Sequence, residues 1–207
     1  MKEYHKIETC FVRDEKTHRV IVGQWRLPEF SYLAMNNWTW TEKVDGTNIR
    51  VIWNNETKTV TIGGKTDNAQ IPAFLANRLA DMFFAARMVE AFPDTSVCLY
   101  GEGYGAKIQK GGGNYRQDQS FVLFDVRVGE WWLKREDLEN VAKKLGIDCV
   151  PIIATGSLTD AAGFVAAGFQ STWGDFKAEG LVCRPAVELQ TRGGHRIITK
   201  IKTRDFA

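Results

Sequence analysis

The stretch Glu42-Lys43-Val44-Asp45-Gly46-Thr47-Asn48 holds the most suggestive chemistry in the chain. A lysine at a strand-to-turn junction, with Gly46 letting the backbone approach closely, can reach a bound phosphate. With cations nearby to lower its pKa, it becomes a nitrogen nucleophile. The same residues also fit a solvated hairpin, because Asp-Gly is a favoured tight-turn dipeptide. A K-x-D-G match arises by chance in roughly a few per cent of chains of this size, so its weight rests on what accompanies it. Downstream, in order, come Tyr100-Gly101-Glu102-Gly103, Phe121-Val122-Leu123-Phe124-Asp125-Val126, Ala178-Glu179-Gly180-Leu181-Val182 and Lys200-Ile201-Lys202. Lys200 and Lys202 stand two apart on a predicted strand and so point to one face. A solvated basic edge strand has the same pattern. Strand alternation puts Phe121 and Leu123 on one face and Val122 and Phe124 on the other, so Phe124 need not share the core with the first two.

Positioning these residues falls to a mixture of strands and helices. Trp38 to Gly64 reads as strands: Ile49 to Trp53 is β-branched and aromatic, Asn54-Asn55 marks a turn, and Lys58 to Ile62 alternates. From Pro72 to Phe92 the apolar residues Phe74, Leu75, Leu79, Met82, Phe83, Ala86 and Val89 follow helical spacing, with Pro72 suited to the first turn. Val97 to Gly101 reads as a short strand before a Gly-rich loop, Gly103 to Asn114, and Phe121 to Val128 as an apolar strand. Arg135 to Leu145 is an amphipathic helix stopped at Gly146. Cys149 to Ala154 reads as a strand, Thr159 as the cap of a small helix towards Gly168, and Leu181 to Arg184 and Arg196 to Lys202 as closing strands. Strands outnumber helices without alternating regularly, which predicts an α+β fold with mainly antiparallel sheets rather than a doubly wound one.

Composition narrows the class. The 207 residues are 44% hydrophobic, 25% charged and 12% aromatic, which suits one generous core and excludes disorder as the main state. No apolar run is long enough to span a membrane, and the start leads into no signal-peptide core, so a cytoplasmic protein is expected, or one of the host-cell cytoplasm if viral. A net charge of +2 excludes a strongly basic nucleic-acid coat but allows a local patch. Cys10, Cys98, Cys149 and Cys183 are scattered, without C-x-x-C spacing, and read as buried reduced thiols.

The ordered motifs resemble those of the covalent nucleotidyltransferases. In detail the chain is similar to the ATP-dependent RNA ligases of the T4 RNA ligase 2 type, including the RNA-editing ligases. Gly64-Lys65-Thr66 sits where that family has a basic residue after its first motif, and Ile108-Gln109-Lys110 follows the Gly-Glu motif. The resemblance runs from about residue 38 to 206. It implies one nucleotidyltransferase domain over residues 1–207, of the ATP-grasp-like ligase adenylation type, with 1–37 a segment of unknown role. Lys43 would attack the α-phosphate of ATP and hold AMP as a phosphoramide. Glu42, Asp45, Gly46 and Asn48 would shape the nucleotide pocket, and Glu102 would accept from a ribose hydroxyl. Phe124 would stack on adenine, a contact of roughly 1–3 kcal/mol. Glu179 would help place Mg²⁺ or Mn²⁺ beside the phosphates. Lys200 and Lys202 would offset the triphosphate charge, orient the leaving pyrophosphate and depress the pKa of Lys43.

One departure stands out: Lys65 replaces the arginine frequent at that position, and an ammonium lacks the bidentate fork. Arg50 is a candidate for the missing donor. The basic segment Lys107 to Arg116 reads equally as a phosphate-approaching loop, with Tyr115 stacking on a base, and as a mobile surface loop. With five residues after Lys202 in this sequence, neither the OB-fold of DNA ligases and capping enzymes nor the helical domain of RNA ligase 2 is expected. The expectation is therefore a minimal, monomeric RNA ligase that joins 5′-phosphate and 3′-hydroxyl RNA ends with ATP. The alternatives are a DNA ligase, a GTP-using capping-type enzyme, or a non-catalytic protein that binds polynucleotide ends.

Overall fold

The computed structural model describes residues 3–206. In chain order its elements are β1 (Glu8–Thr9), β2 (Phe11–Arg13), β3 (Val20–Trp25), α1 (Pro28–Tyr32), β4 (Trp38–Glu42), β5 (Thr47–Asn54), β6 (Thr59–Gly63), α2 (Ala73–Met82) and α3 (Ala85–Ala91). Then come β7 (Val97–Gly105), α4 (Gly112–Tyr115), β8 (Gln119–Val128), β9 (Trp131–Trp132), α5 (Arg135–Lys144) and β10 (Asp148–Cys149). The chain closes with β11 (Ile152–Gly156), α6 (Leu158–Ala167), β12 (Gly180–Pro185) and β13 (Thr199–Lys202). These pack as two compact units: the described residues up to His5 with Asp45–Val150, and Lys6–Val44 with the chain from Pro151 onward.

The first unit is built on a sheet in the order β10-β8-β7-β5-β6, with β9 added beside β8. All its pairs are antiparallel except β10 with β8. Strand periodicity sends Ile49, Val51 and Trp53 of β5, Val97 and Leu99 of β7, and Phe121, Leu123 and Val126 of β8 into one core with the apolar faces of α2, α3 and α5. Each such side chain, taken fully out of water, contributes about 1.5–3 kcal/mol.

The single helix expected over residues 72–92 is two helices. Phe83 leaves helical geometry (φ −122°, ψ 64°) and sits edge-on to Phe121, 5.2 Å between ring centroids. The break shifts the helical phase, so that Met88 is buried and Val89 exposed. A continuous pattern through Ala86 and Val89 misses that shift.

The second unit carries a five-stranded sheet in the order β1-β13-β12-β4-β11, antiparallel except for β1 with β13. Trp38 and Trp40 of β4, Leu181 and Cys183 of β12, and Ile201 of β13 pack with Leu158, Ala161, Ala162 and Val165 of α6. The cap of α6 is Ser157 rather than Thr159: Ser157 Oγ accepts from the Asp160 amide at 3.0 Å, and the Asp160 carboxylate reaches back to the Ser157 amide. The expected strand over Cys149 to Ala154 is divided at Val150-Pro151 into β10 of the first unit and β11 of the second. The segment before residue 38 is also structured. The hairpin β2–β3 stacks Phe11 on Trp25, 4.8 Å between centroids, and α1 begins at Pro28.

The fold class is the α+β arrangement of mainly antiparallel sheets expected from sequence, and among the described residues neither sheet closes into a barrel. No helix of the described residues is long and apolar enough to cross a membrane.

Candidate active site

In the second unit the sequence-predicted residues converge where β4, β12 and β13 end together. Glu42 opposes Leu181, and Gly180 opposes Lys202. The Lys43 amide donates to the Gly180 carbonyl at 2.9 Å, and the Thr203 amide donates to the Glu179 carbonyl at 2.9 Å. Such close approach requires glycine at position 180, because a Cβ there would collide with the Ile201 carbonyl. Glu179 is thereby held between two lysines. Its Oε2 accepts from Lys43 Nζ at 2.7 Å and its Oε1 from Lys202 Nζ at 2.8 Å, all three side chains being largely buried. Lys200 shares the strand face of Lys202. It also lies close enough to Glu8 to contribute to that carboxyl's lowered pKa, after the Lys6 hydrogen bond and the Arg26 charge.

Glu42 is used differently. It is buried, and its carboxylate accepts from Ser171 Oγ (2.5 Å), the Thr172 amide (2.9 Å) and Thr172 Oγ1 (2.7 Å). Three donors satisfy a carboxylate in a buried position. They also fasten the 171–172 segment to the strand that presents Lys43. Ser171 and Thr172 carry no recognisable signal in the sequence, since polar pairs in a loop are common.

In the first unit the remaining predicted residues lie on, or turn onto, the sheet face opposite the core. Asn48 of β5 is directly opposite Glu102 of β7. Asn48 Oδ1 is buried with no hydrogen-bond partner among the described residues, an acceptor left for something outside the chain. Gly46 packs its Cα against the Gly103 carbonyl and the Glu102 side chain, where a Cβ would lie 2.8 Å from Glu102 Cγ. Tyr115 Oη accepts from the Asp45 amide at 3.2 Å, and Gln109 Nε2 donates to the Gly46 carbonyl at 2.9 Å. Tyr115 therefore braces this turn through its hydroxyl, with its ring edge-on to Tyr104.

Phe124 owes its place to a β-bulge. Tyr100 pairs with Asp125 and Gly101 with Leu123, so Phe124 is the extra, unpaired residue. Phe121, Leu123 and Val126 stay in the core, while Phe124 and Asp125 are both freed from it. Simple alternation predicts the Phe124 direction correctly but would send Asp125 inward with Leu123. Asp125 is fully buried on the other face and accepts from Tyr4 Oη at 2.8 Å. The Tyr4 ring packs edge-on to Phe124 at 5.1 Å and against Tyr100 at 5.0 Å.

Lys65 is exposed on the turn after β6, and Arg50 holds that turn. Arg50 Nε donates to the Gly64 carbonyl at 2.8 Å and Nη2 to Asp67 Oδ1 at 2.7 Å. Arg50 thus spends two of its donors on the turn that carries Lys65, while its Nη1 is buried with no hydrogen-bond partner among the described residues. Among the described residues no group of three or more His, Cys, Asp or Glu side chains is disposed to hold a metal ion by itself.

The RNA ligase family profile matches residues 36–202, so the chain belongs to the RNA ligase family. No curated protein matches it. Among solved structures it is similar to Naegleria gruberi RNA ligase. A lysine-to-alanine mutant of that protein with ATP and Mn shares 20% identity and a TM-score of 0.66, over 86% of this chain and 52% of that one. The same ligase with PPi gives 22% identity and a TM-score of 0.65, over 86% and 53%. An apo aspartate-to-alanine mutant gives 19% and 0.66, over 99% and 59%. At these identities the likeness is one of fold, and the chain spans little more than half the length of the solved relatives it matches.

Proposed function

We propose that the chain is the nucleotidyl-transfer part of an ATP-dependent RNA ligase acting in the cytoplasm, with Lys43 as the nucleophile. The observation that carries this reading is the Lys43–Glu179–Lys202 cluster at the converging strand ends, in a chain of the RNA ligase family. In the first step Lys43 Nζ gives up a proton, which the Glu179 carboxylate at 2.7 Å can relay to solvent, leaving Glu179 ionised again. Its lone pair then forms a bond to the α-phosphorus of ATP, the bond to the bridging oxygen breaks, and pyrophosphate leaves. Lys200 and Lys202 neutralise the phosphates, and Asn48, Glu102 and Phe124 recognise the nucleoside, with Phe124 offering its ring to adenine. An RNA 5′-phosphate oxygen next displaces Lys43 from AMP. The 3′-hydroxyl finally attacks the adenylylated 5′ end, expelling AMP and closing the phosphodiester.

A divalent cation fits this set as Mg²⁺ commonly binds, through one carboxylate and the nucleotide's own phosphates rather than a cage of protein ligands. Glu179 is the residue that would hold it, and its contribution would be to neutralise charge on the phosphates. Known ligase structures containing ATP and Mn, AMP and Mn, and PPi support this reading.

The test is to incubate the protein with ATP labelled at the α-phosphate and Mg²⁺, denature it, and look for label on the chain, with Lys43→Ala alongside. Acid-labile label that Lys43→Ala abolishes is the expected result. Absence of label with ATP, GTP and NAD alike sinks the reading and leaves a non-catalytic polynucleotide-end-binding role.

A further inference from the structure

The loop between β7 and β8 is fixed at one end of the first unit in a way its glycine-rich sequence does not suggest. Ile108 packs against the apolar core, while Gln109 and Tyr115 clasp the Asp45-Gly46 turn. That turn begins two residues after Lys43 in the chain. Within the loop the Ile108 amide donates to the Gly105 carbonyl at 3.2 Å, closing a four-residue turn with Lys107 at its third position. Lys107 takes a left-handed backbone there, φ 68°, which residues other than Gly, Asn and Asp seldom adopt. A glycine would sit there without strain, yet the chain places an exposed ammonium.

Lys110, three residues on, is exposed too, and neither lysine has an ion pair or side-chain hydrogen bond among the described residues. The one acid of the loop, Asp118, is occupied by Arg116, with Nε–Oδ1 2.6 Å and Nη2–Oδ2 3.0 Å. Two uncompensated cations thus project from a loop braced against the Asp45-Gly46 turn.

The geometry points to Lys107 and Lys110 as a binding surface for the phosphodiester backbone of the RNA strand, holding the polynucleotide beside the turn that follows the nucleophile. The identity of the ligand rests on the ligase reading above, but the surface is distinct from the residues assigned to the nucleotide. Ammonium groups on short, fixed backbone suit this task, because a point charge engages a phosphate whatever the base attached to it.

The test uses a double variant, Lys107→Asn with Lys110→Ala, because Asn tolerates the left-handed backbone at position 107. Binding of a fluorescent 5′-phosphorylated single-stranded RNA is measured across a range of salt concentrations, and self-labelling with ATP is measured in parallel. The expected result is RNA binding weakened about tenfold near physiological salt. The slope of log K against log salt becomes shallower by about 1.4, roughly 0.7 for each phosphate that is no longer neutralised. Self-labelling stays at the wild-type level.

A second variant, Lys107→Arg with Lys110→Arg, restores both affinity and slope. An unchanged slope overturns the proposal, as does a loss of self-labelling that parallels the loss of RNA binding, which would assign the lysines to ATP. Wild-type protein that labels itself but binds no RNA overturns it as well. If the wild type takes no label yet shows the lysine-dependent slope, the surface stands and the catalytic reading fails.

Discussion

At the β4, β12 and β13 ends of the second unit, ionised groups are brought together and held by one another. Glu179 lies between Lys43 and Lys202, and Glu42 is secured by three donors. On the non-core face of the first unit, aromatic rings and the Asn48 carboxamide are set beside the carboxylates of Glu102 and Asp125 and the buried guanidinium of Arg50. Asn48 faces Glu102, and Phe124 is lifted from its strand by a bulge and supported by Tyr4. The first arrangement suits phosphate chemistry, which needs a nucleophile and fixed cations. The second suits recognition of a flat, largely uncharged nucleoside, which needs a ring face and a few hydrogen-bonding atoms. Two kinds of order support them. In the second unit it comes from backbone convergence at a glycine, and in the first from a strand irregularity with side-chain packing behind it.

The largest effect should come from the convergence point. Gly180→Ala sets a methyl group against the Ile201 carbonyl, a backbone atom that cannot move aside without opening the β12–β13 pair. We expect about 2–4 kcal/mol of destabilisation, which for a chain of this size is a fall in Tm of roughly 5–15 °C, with self-labelling lost. Thermal unfolding followed by circular dichroism decides it. A variant that melts and labels like the wild type would mean that the close packing at Gly180 is not what organises the charged cluster.

A smaller effect is expected in the first unit. Phe124→Ala removes one ring face, at a cost of roughly 1–3 kcal/mol in stacking, or about 5- to 150-fold in the Kd for ATP. Inorganic tripolyphosphate, which carries the charges of ATP without its base, should bind this variant within roughly twofold of the wild type. Calorimetric titration with both ligands tests the division of labour directly. Equal losses for ATP and tripolyphosphate would erase the contrast between the two units.

The charged cluster was the more legible half. Lys43, Glu179 and Lys202 stand in short motifs whose spacing sets them near strand ends, and strand period alone puts Lys200 and Lys202 on one face. The β5–β6 hairpin and the helix ending at Gly146 were equally plain, because turn residues and apolar period agree there. What escaped was whatever depends on partners distant in sequence. The bulge at Phe124 exists only as a mismatch between β7 and β8, so no pattern within Phe121–Val128 encodes it. Tyr4 meets Asp125 across 121 positions, and Tyr115 meets Asp45 across 70. The break at Phe83 answers to Phe121 on a neighbouring element. Glu42 shows the same limit within the second unit, since its Ser171 and Thr172 partners come from a loop about 130 residues away.

Tyr4 offers the finest division of the comparison, because its hydroxyl and its ring serve the first unit separately. Tyr4→Phe keeps the ring that packs on Phe124 and Tyr100 and removes only the donor to Asp125 Oδ2. A hydrogen bond to a buried carboxylate contributes roughly 1.5–3 kcal/mol. Part of that loss should appear as a Tm lowered by a few degrees, and part as looser placement of the bulge. Phe124 itself remains, so ATP affinity should fall only about two- to fivefold, well short of Phe124→Ala, with tripolyphosphate unaffected. Asp125→Asn supplies the control. If hydroxyl and carboxylate act through one bond, the double variant should be scarcely worse than either single one, an interaction energy near the whole single-variant effect. Additive losses, or a tripolyphosphate affinity that falls with that of ATP, would show that Tyr4 supports the sheet at large and that the bulge holds Phe124 without it.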